Sequence, residues 1–173
     1  HSIKKIAQDN NLILIEDAAQ SISTSVNGKP LGTFGDIATL SFHQTKNIQC
    51  GEGGAIIINN ESFYRKANII RDKGTNRIDF ETNLVDKYTW VDIGGSYTIG
   101  ELNSAFLYSQ LLSLNQIISS RLSIWENYMS AFLNDSIVCN YIPNHYKNLE
   151  HNGHLFYLLM ESEEQRNQLI KWG

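Results

Sequence analysis

Cysteine is nearly absent: Cys50 and Cys139 are the only two in 173 residues, far apart and outside any CxxC spacing. That excludes a disulfide framework and a cysteine zinc site, and both read as ordinary reduced thiols. Basic runs are missing as well. The 14 Lys and Arg residues are scattered and the formal net charge is only -4, so nothing tracks a phosphate backbone and nucleic acid is excluded as a partner. No apolar stretch approaches the roughly 18 residues of a membrane span. The start, His1-Ser2-Ile3-Lys4-Lys5, has no signal-peptide apolar region, so a cytoplasmic setting without a membrane partner is expected. His145, His151 and His154 lack a ligand spacing with acidic neighbours, and no metal site is expected. Internal repeats and low-complexity tracts are absent. So is an initiator Met, and the sequence stops at Lys171-Trp172-Gly173 inside a helix-like run, which reads as a piece of a longer protein.

What is present is a globular profile, 42% hydrophobic and 18% charged, sufficient to bury a core. Ser2 to Asp9 has helical spacing, with Ile3, Ile6 and Ala7 on one face. Leu12 to Ile15 is a continuous apolar run ending in Glu16-Asp17, the pattern of a strand buried on both faces in a parallel sheet. Asn27 to Pro30, Gly32 and Gly35 mark turns. Ile37 to Phe42 predicts a second strand, and Gly54 to Ile58 a third after the glycine-rich Gly51 to Gly54. Glu61 to Lys73 predicts a helix, and Gly74 to Tyr97 a long irregular segment of the kind that carries function. Glu101 to Leu133 predicts two helices or one kinked helix. Pro143 to His151 reads as a polar connection, His154 to Met160 as a strand and Glu163 to Trp172 as a helix.

Three features fall at predicted strand ends: Asp17 with Gln20, Ser41 through Lys46, and the glycine run from Gly51. Ligands of open parallel sheets bind at the carboxyl ends of strands, so these side chains are placed to meet in one crevice. A pyridoxal cofactor needs a lysine amine, a carboxylate for its pyridine nitrogen and donors for its phosphate, and this set supplies them. Singly, each has an ordinary reading. Lys46 suits a solvated surface, Asp17 a helix cap, Ser41 a turn, and Gly51 to Gly54 a tight hairpin. Spacing alone leaves both readings open.

The blocks Ile15-Glu16-Asp17-Ala18-Ala19-Gln20, Leu31-Gly32-Thr33, Ser41-Phe42-His43-Gln44-Thr45-Lys46-Asn47 and Gly51-Glu52-Gly53-Gly54-Ala55 stand in an order that resembles the DegT/DnrJ/EryC1/StrS aminotransferase family. Arg71 to Arg77, Val85 to Trp90 and Asp92 to Gly94 extend the likeness, and these later blocks are most similar to its dTDP-4-amino-4,6-dideoxygalactose transaminase branch. The resemblance implies an α/β fold-type I pyridoxal phosphate transferase, aspartate aminotransferase-like. Residues 1–133 would be part of the α/β/α large domain, and residues 134–173 the start of the small C-terminal α/β domain.

It also implies roles. Lys46 would hold pyridoxal 5'-phosphate as a Schiff base and move the proton, Asp17 would face the pyridinium nitrogen, Gln20 the phenolic oxygen and Ser41 the phosphate. The reaction implied is amino transfer from L-glutamate to the 4-keto carbon of a dTDP-4-keto-6-deoxyhexose, in a homodimer formed through the large domain. The product would feed cell-surface polysaccharide synthesis, such as enterobacterial common antigen. Where many members carry Gly-Tyr-Asn-Tyr-Arg, this chain has Gly94-Gly95-Ser96-Tyr97-Thr98. Ser96 would replace the Asn that reaches the partner subunit's cofactor phosphate, with a shorter side chain, or serve a turn. Lys87, Tyr88 and Trp90 suit a sugar-nucleotide pocket or a structural aromatic cluster. A dehydratase of the same fold is disfavoured, because those enzymes replace the Schiff-base lysine by His. A noncatalytic remnant or regulatory binding module is the remaining alternative.

Overall fold

The computed structural model describes residues 2–142 and 148–172. The helix expected at the start is α1 (Ser2–Asp9), closed by Asn11 in the left-handed region and by the Leu12 N–H donating back to Ala7 O at 2.8 Å. That bond keeps Leu12 out of the sheet. The Leu14 N–H donates to the Asp36 side chain at 2.9 Å, so pairing starts one residue later and β1 is Ile15–Asp17 rather than the 12–15 run. Nor is this run buried on both faces: Leu12, Ile13 and Ile15 are each about 60% exposed.

After β1 the chain makes a small hairpin, β2 (Ser25–Val26) and β3 (Lys29–Pro30), turned by Asn27 and Gly28 at φ 51° and 73°. Two adjacent positive-φ residues are what a tight two-residue hairpin requires. β4 (Ile37–Ser41) and β5 (Gly54–Ile58) fall where their apolar runs predict, with Phe42 one residue past the end. The main sheet has order β1-β4-β5. β1 and β4 are parallel, but β4 and β5 are antiparallel, so the sheet is mixed. The reason is the connection: residues 42–53 return directly, with no crossover helix to carry the chain back to the other end.

A single 3-10 turn (Glu61–Phe63) leads into α2 (Tyr64–Arg71), which stops where Lys73 and Gly74 take positive φ. Within the irregular segment α3 (Arg77–Glu81) is one short helix. The expected pair of helices is α4 (Glu101–Leu112) and α5 (Leu114–Leu133), separated at Ser113. The polar connection lies partly outside the described residues, and its end forms β6 (Leu149–Glu150), which pairs with β2. Residues 154–160 form no regular element, and although their burial alternates they pair with no strand among the described residues. They pack instead on α5: Phe156 meets Trp125, Tyr128 and Phe132 at ring separations of 5.6 Å, and the Trp125 indole donates to Leu155 O. α6 (Glu163–Trp172) closes the chain as expected.

The core that matters for function is small. Phe42, Ile48 and Cys50 are buried together, and Ile22, Leu40, Leu107, Leu114 and Ile117 pack around them, so α4 and α5 clamp the loop that leaves β4.

Candidate active site

Because β1 and β4 run parallel, their carboxyl ends share one edge of the sheet, the edge at which such folds bind ligands. Asp17 ends β1 with its side chain exposed, and its Oδ1 accepts the Ala19 N–H at 3.1 Å. Asp17 pairs with Thr39, and Ser41 stands two residues further along β4, so the carboxylate and the hydroxyl lie on one face. The His43 N–H donates to Ser41 Oγ at 3.3 Å. Gln20 follows in the turn after β1, with its side chain toward solvent.

Lys46 is half-buried in the loop between β4 and β5. Three backbone bonds close that loop: Phe42 N–H to Gly53 O and Cys50 N–H to Phe42 O, each 2.8 Å, and Gln44 N–H to Gly51 O at 2.9 Å. A tighter turn sits inside it, the Lys46 N–H donating to His43 O at 2.9 Å. The glycine run has a packing reason, since a Cβ on Gly53 would come within 2.6 Å of Cys50 Sγ. Burial, and then the charge of Glu52, push the Cys50 thiol up, which keeps it protonated and leaves it a packing residue. His43 turns inward on its own loop, with Nδ1 2.9 Å from Thr45 Oγ1 and Nε2 3.5 Å from Glu52.

The other expected residues lie elsewhere. Ser96 bridges Asp72, and Trp90 bridges Thr75, both on the segment that folds back along the end of α2. The Asn76 side chain ties this segment down, donating to Lys87 O at 3.1 Å and accepting the Thr89 N–H at 2.7 Å. Tyr88 packs against Phe80, with ring centroids 6.5 Å apart. Lys87, Tyr88, Trp90 and Ser96 are all exposed, and among the described residues no hydrogen bond, ion pair or ring contact joins them to Lys46. A cleft of about 1170 Å³ between β4–β5 and α2 touches none of Asp17, Gln20, Ser41 or Lys46.

Three residues with no role assigned from sequence hold the edge in shape. Glu16, on the face opposite Asp17, accepts the Gly32, Phe34 and Gly35 N–H groups at 3.0, 2.6 and 2.6 Å. Its place next to Asp17 in the first motif block is a readable clue. Asn47 and Asn152 are each 4% exposed; the Asn47 amide donates to Asn152 O at 2.8 Å, and the Asn152 amide donates to Gln20 O and Ile22 O at 2.9 and 2.8 Å. Nothing local in the sequence pairs residues 105 positions apart.

The sequence model of the DegT/DnrJ/EryC1/StrS aminotransferase family matches residues 1–173. GDP-perosamine synthase from Vibrio cholerae is 34% identical over 130 residues, 75% of this chain and 33% of that protein. Helicobacter pylori PseC, an aminotransferase involved in the biosynthesis of pseudoaminic acid, superposes with a TM-score of 0.81 at 23% identity, over 98% of this chain and 44% of that one. A DegT DnrJ EryC1 StrS aminotransferase from Brucella abortus superposes with a TM-score of 0.79 at 25% identity, over 99% and 43%. The chain therefore spans about a third to under half the length of the proteins it matches. The fold is that of the fold-type I pyridoxal phosphate-dependent sugar aminotransferases, present in part. The curated relative acts in GDP-perosamine synthesis, so the likeness is not specific to the dTDP-4-amino-4,6-dideoxygalactose branch. With its motif blocks in order and the family model covering its whole length, this chain belongs to the DegT/DnrJ/EryC1/StrS aminotransferase family.

Proposed function

We propose that the protein carrying this chain is a pyridoxal phosphate-dependent sugar-nucleotide aminotransferase, with Lys46 as its cofactor lysine. The observation that carries the reading is the common edge: a carboxylate at the end of β1, a hydroxyl at the end of the parallel β4, and an amine on the loop that follows. A carboxylate, an amine and a hydroxyl are the set that pyridoxal phosphate requires, and it supplies an electron sink for the substrate's carbon–nitrogen chemistry. Family aminotransferases use that cofactor. Asp17 would hold the pyridine nitrogen protonated, Gln20 would lie at the phenolic oxygen, and Ser41 would donate to the phosphate.

Lys46 Nζ would hold the cofactor's aldehyde carbon, and its free amine would hold and return the proton that the substrate carbon gives up. Its half-buried position, on a loop clamped by α4 and α5, limits the positions its amine can take. The further assignments follow the motif blocks. L-Glutamate is the donor and the 4-keto carbon of a dTDP-4-keto-6-deoxyhexose the acceptor. Lys87, Tyr88 and Trp90 face the sugar nucleotide, and Ser96 reaches the partner subunit's cofactor phosphate in a homodimer. Residues 1–133 belong to the large domain, and residues 134–173 begin the small one. A second reading, a GDP-linked ketosugar, is favoured by the likeness to GDP-perosamine synthase.

The test uses the intact protein, pyridoxal phosphate and 15N-labelled glutamate, offered dTDP- and GDP-linked 4-keto-6-deoxyhexoses in parallel. Mass spectrometry is expected to find label in the dTDP-sugar amine, and borohydride to fix the cofactor on Lys46. Label only in the GDP-sugar would replace the substrate assignment. No transfer to either, with the cofactor fixed on another lysine, would overturn the mechanism.

A further inference from the structure

Three segments remote in sequence meet behind Lys46, and side-chain amides join them. Asn47 Nδ2 donates to Asn152 O at 2.8 Å, while Asn152 Nδ2 donates to Gln20 O at 2.9 Å and to Ile22 O at 2.8 Å. Asn152 Oδ1 accepts the His154 N–H at 3.0 Å, and Asn47 Oδ1 lies 2.7 Å from His154 Nδ1. The turn after β1, the loop after β4 and the 152–154 segment are thereby tied at two buried amides. Two buried residues whose polar groups are paired with main chain on other segments form a rigid joint, because every alternative leaves a buried polar group unpaired.

The same contacts settle which nitrogen of His154 carries the proton. A carbonyl can only accept, so the Asn47 amide must present Nδ2 to Asn152 O and therefore Oδ1 to His154. His154 Nδ1 is then the donor, and in the neutral ring Nε2 keeps its lone pair. Burial, and then the charges of Lys46 and Arg121, hold the imidazole below its ordinary range, in the neutral form. His154, read from sequence as the start of a separate strand, is thus electrostatically coupled to the candidate cofactor lysine.

We propose that Asn47, Asn152 and His154 form a positioning brace for Lys46, fixing the loop that bears the amine against the turn that bears Gln20 and seating an Nδ1-protonated imidazole on Asn47, the lysine's neighbour in sequence. The brace makes the segment after residue 150 a contributor to the site. It deepens the cofactor-lysine reading and rests on it.

Two measurements separate the brace from that reading. In the intact protein without cofactor, 15N histidine NMR is expected to show His154 as a single Nδ1–H tautomer. Asn47→Leu is expected to turn it into the mixed tautomers of a free ring; a mixture already present in the wild type overturns the brace. In the second measurement, the rate of cofactor fixation on Lys46 by pyridoxal phosphate and borohydride is followed by peptide mass. Asn47→Leu and His154→Leu are expected to slow it by about 10- to 100-fold, the upper figure being the effect of a 1 Å misplacement of a reacting group. His154→Asn, which keeps a donor near the Nδ1 position, is expected to restore most of the rate. Equal rates in all variants overturn the brace and leave Lys46 as the cofactor lysine. Fixation on another lysine in the wild type overturns the cofactor reading and this inference with it. Should Asn47→Leu fail to fold, the His154→Leu and His154→Asn pair carries the comparison.

Discussion

Residues 42–54 and residues 82–99 both carry candidate functional side chains, yet they are built in opposite ways. The first is a loop with its own core: Phe42, Asn47, Ile48 and Cys50 are all buried, and two helices close over them. The second hangs from a few main-chain bonds. Gly74 O takes the Val91 and Asp92 N–H groups at 2.8 and 3.0 Å, Asn76 holds residues 87 and 89, and Trp90, Ile93 and Tyr97 are 78, 88 and 71% exposed. The contrast separates two tasks. The loop at Lys46 holds the proposed cofactor lysine on a packed base, whereas the aromatic segment leaves its large apolar side chains exposed.

Substitutions can break this contrast. The largest effect is expected at Lys46: Lys46→Ala in the intact protein should lower transamination by about 10³-fold or more, with little change in the urea midpoint. An active Lys46→Ala enzyme would remove the first region's claim to the chemistry. Ile48→Ala, which empties a fully buried site beneath the same loop, should cost about 2–5 kcal/mol in urea unfolding. A loss below 0.5 kcal/mol would show that the loop does not depend on its core.

Gly74 tests the second region. It has φ 75°, and a Cβ there would lie 1.9 Å from Asp92 O, so Gly74→Ala must displace the main chain at residue 92. A loss of more than about 1 kcal/mol is expected, together with faster amide exchange at Val91 and Asp92. Unchanged exchange would mean that the segment is held elsewhere. Trp90→Ala is expected to move stability by no more than about 0.5 kcal/mol, as at other exposed positions. The sugar-nucleotide KM should rise, and an unchanged KM would assign Trp90 to structure alone.

The smallest effect depends on pH. Hydrogen bonds from the Leu14 N–H and the Asn60 side chain hold the Asp36 carboxyl below the usual range. A carboxyl depressed in the folded state contributes stability above its unfolded pKa of about 4, and loses it as pH falls through the lower folded value. The urea midpoint of the wild type should therefore fall toward that of Asp36→Asn below about pH 4. A constant gap down to pH 3 would refute this.

The sequence was legible where local pattern and environment agree. β4 and β5 are apolar runs introduced by glycines, and the division into two helices follows from a span of helical spacing too long for one, though its place at Ser113 does not. It was misleading where tertiary pairing decides. Residues 154–160 have the alternation of a strand, but their neighbours are the rings of α5. β2, β3 and β6 have two residues each, too few to show a period. The site divides the same way: Asp17, Ser41 and Lys46 were visible because strand ends are visible, and Asn152 was not, because its partners lie more than 100 positions away.

Glu16 and Asp17 are chemically near-identical neighbours with opposite fates. The pleat sends Glu16 to the three N–H groups of residues 32–35 and Asp17 to the exposed edge. A slip of β1 by one residue against β4 would exchange them, leaving the three amides to a side chain one methylene shorter and moving the edge's carboxylate off its position. The strand's registration is thus proofread by its own structural acid: a misaligned β1 strains the Glu16 staple at the same moment that it displaces the candidate carboxylate at the edge.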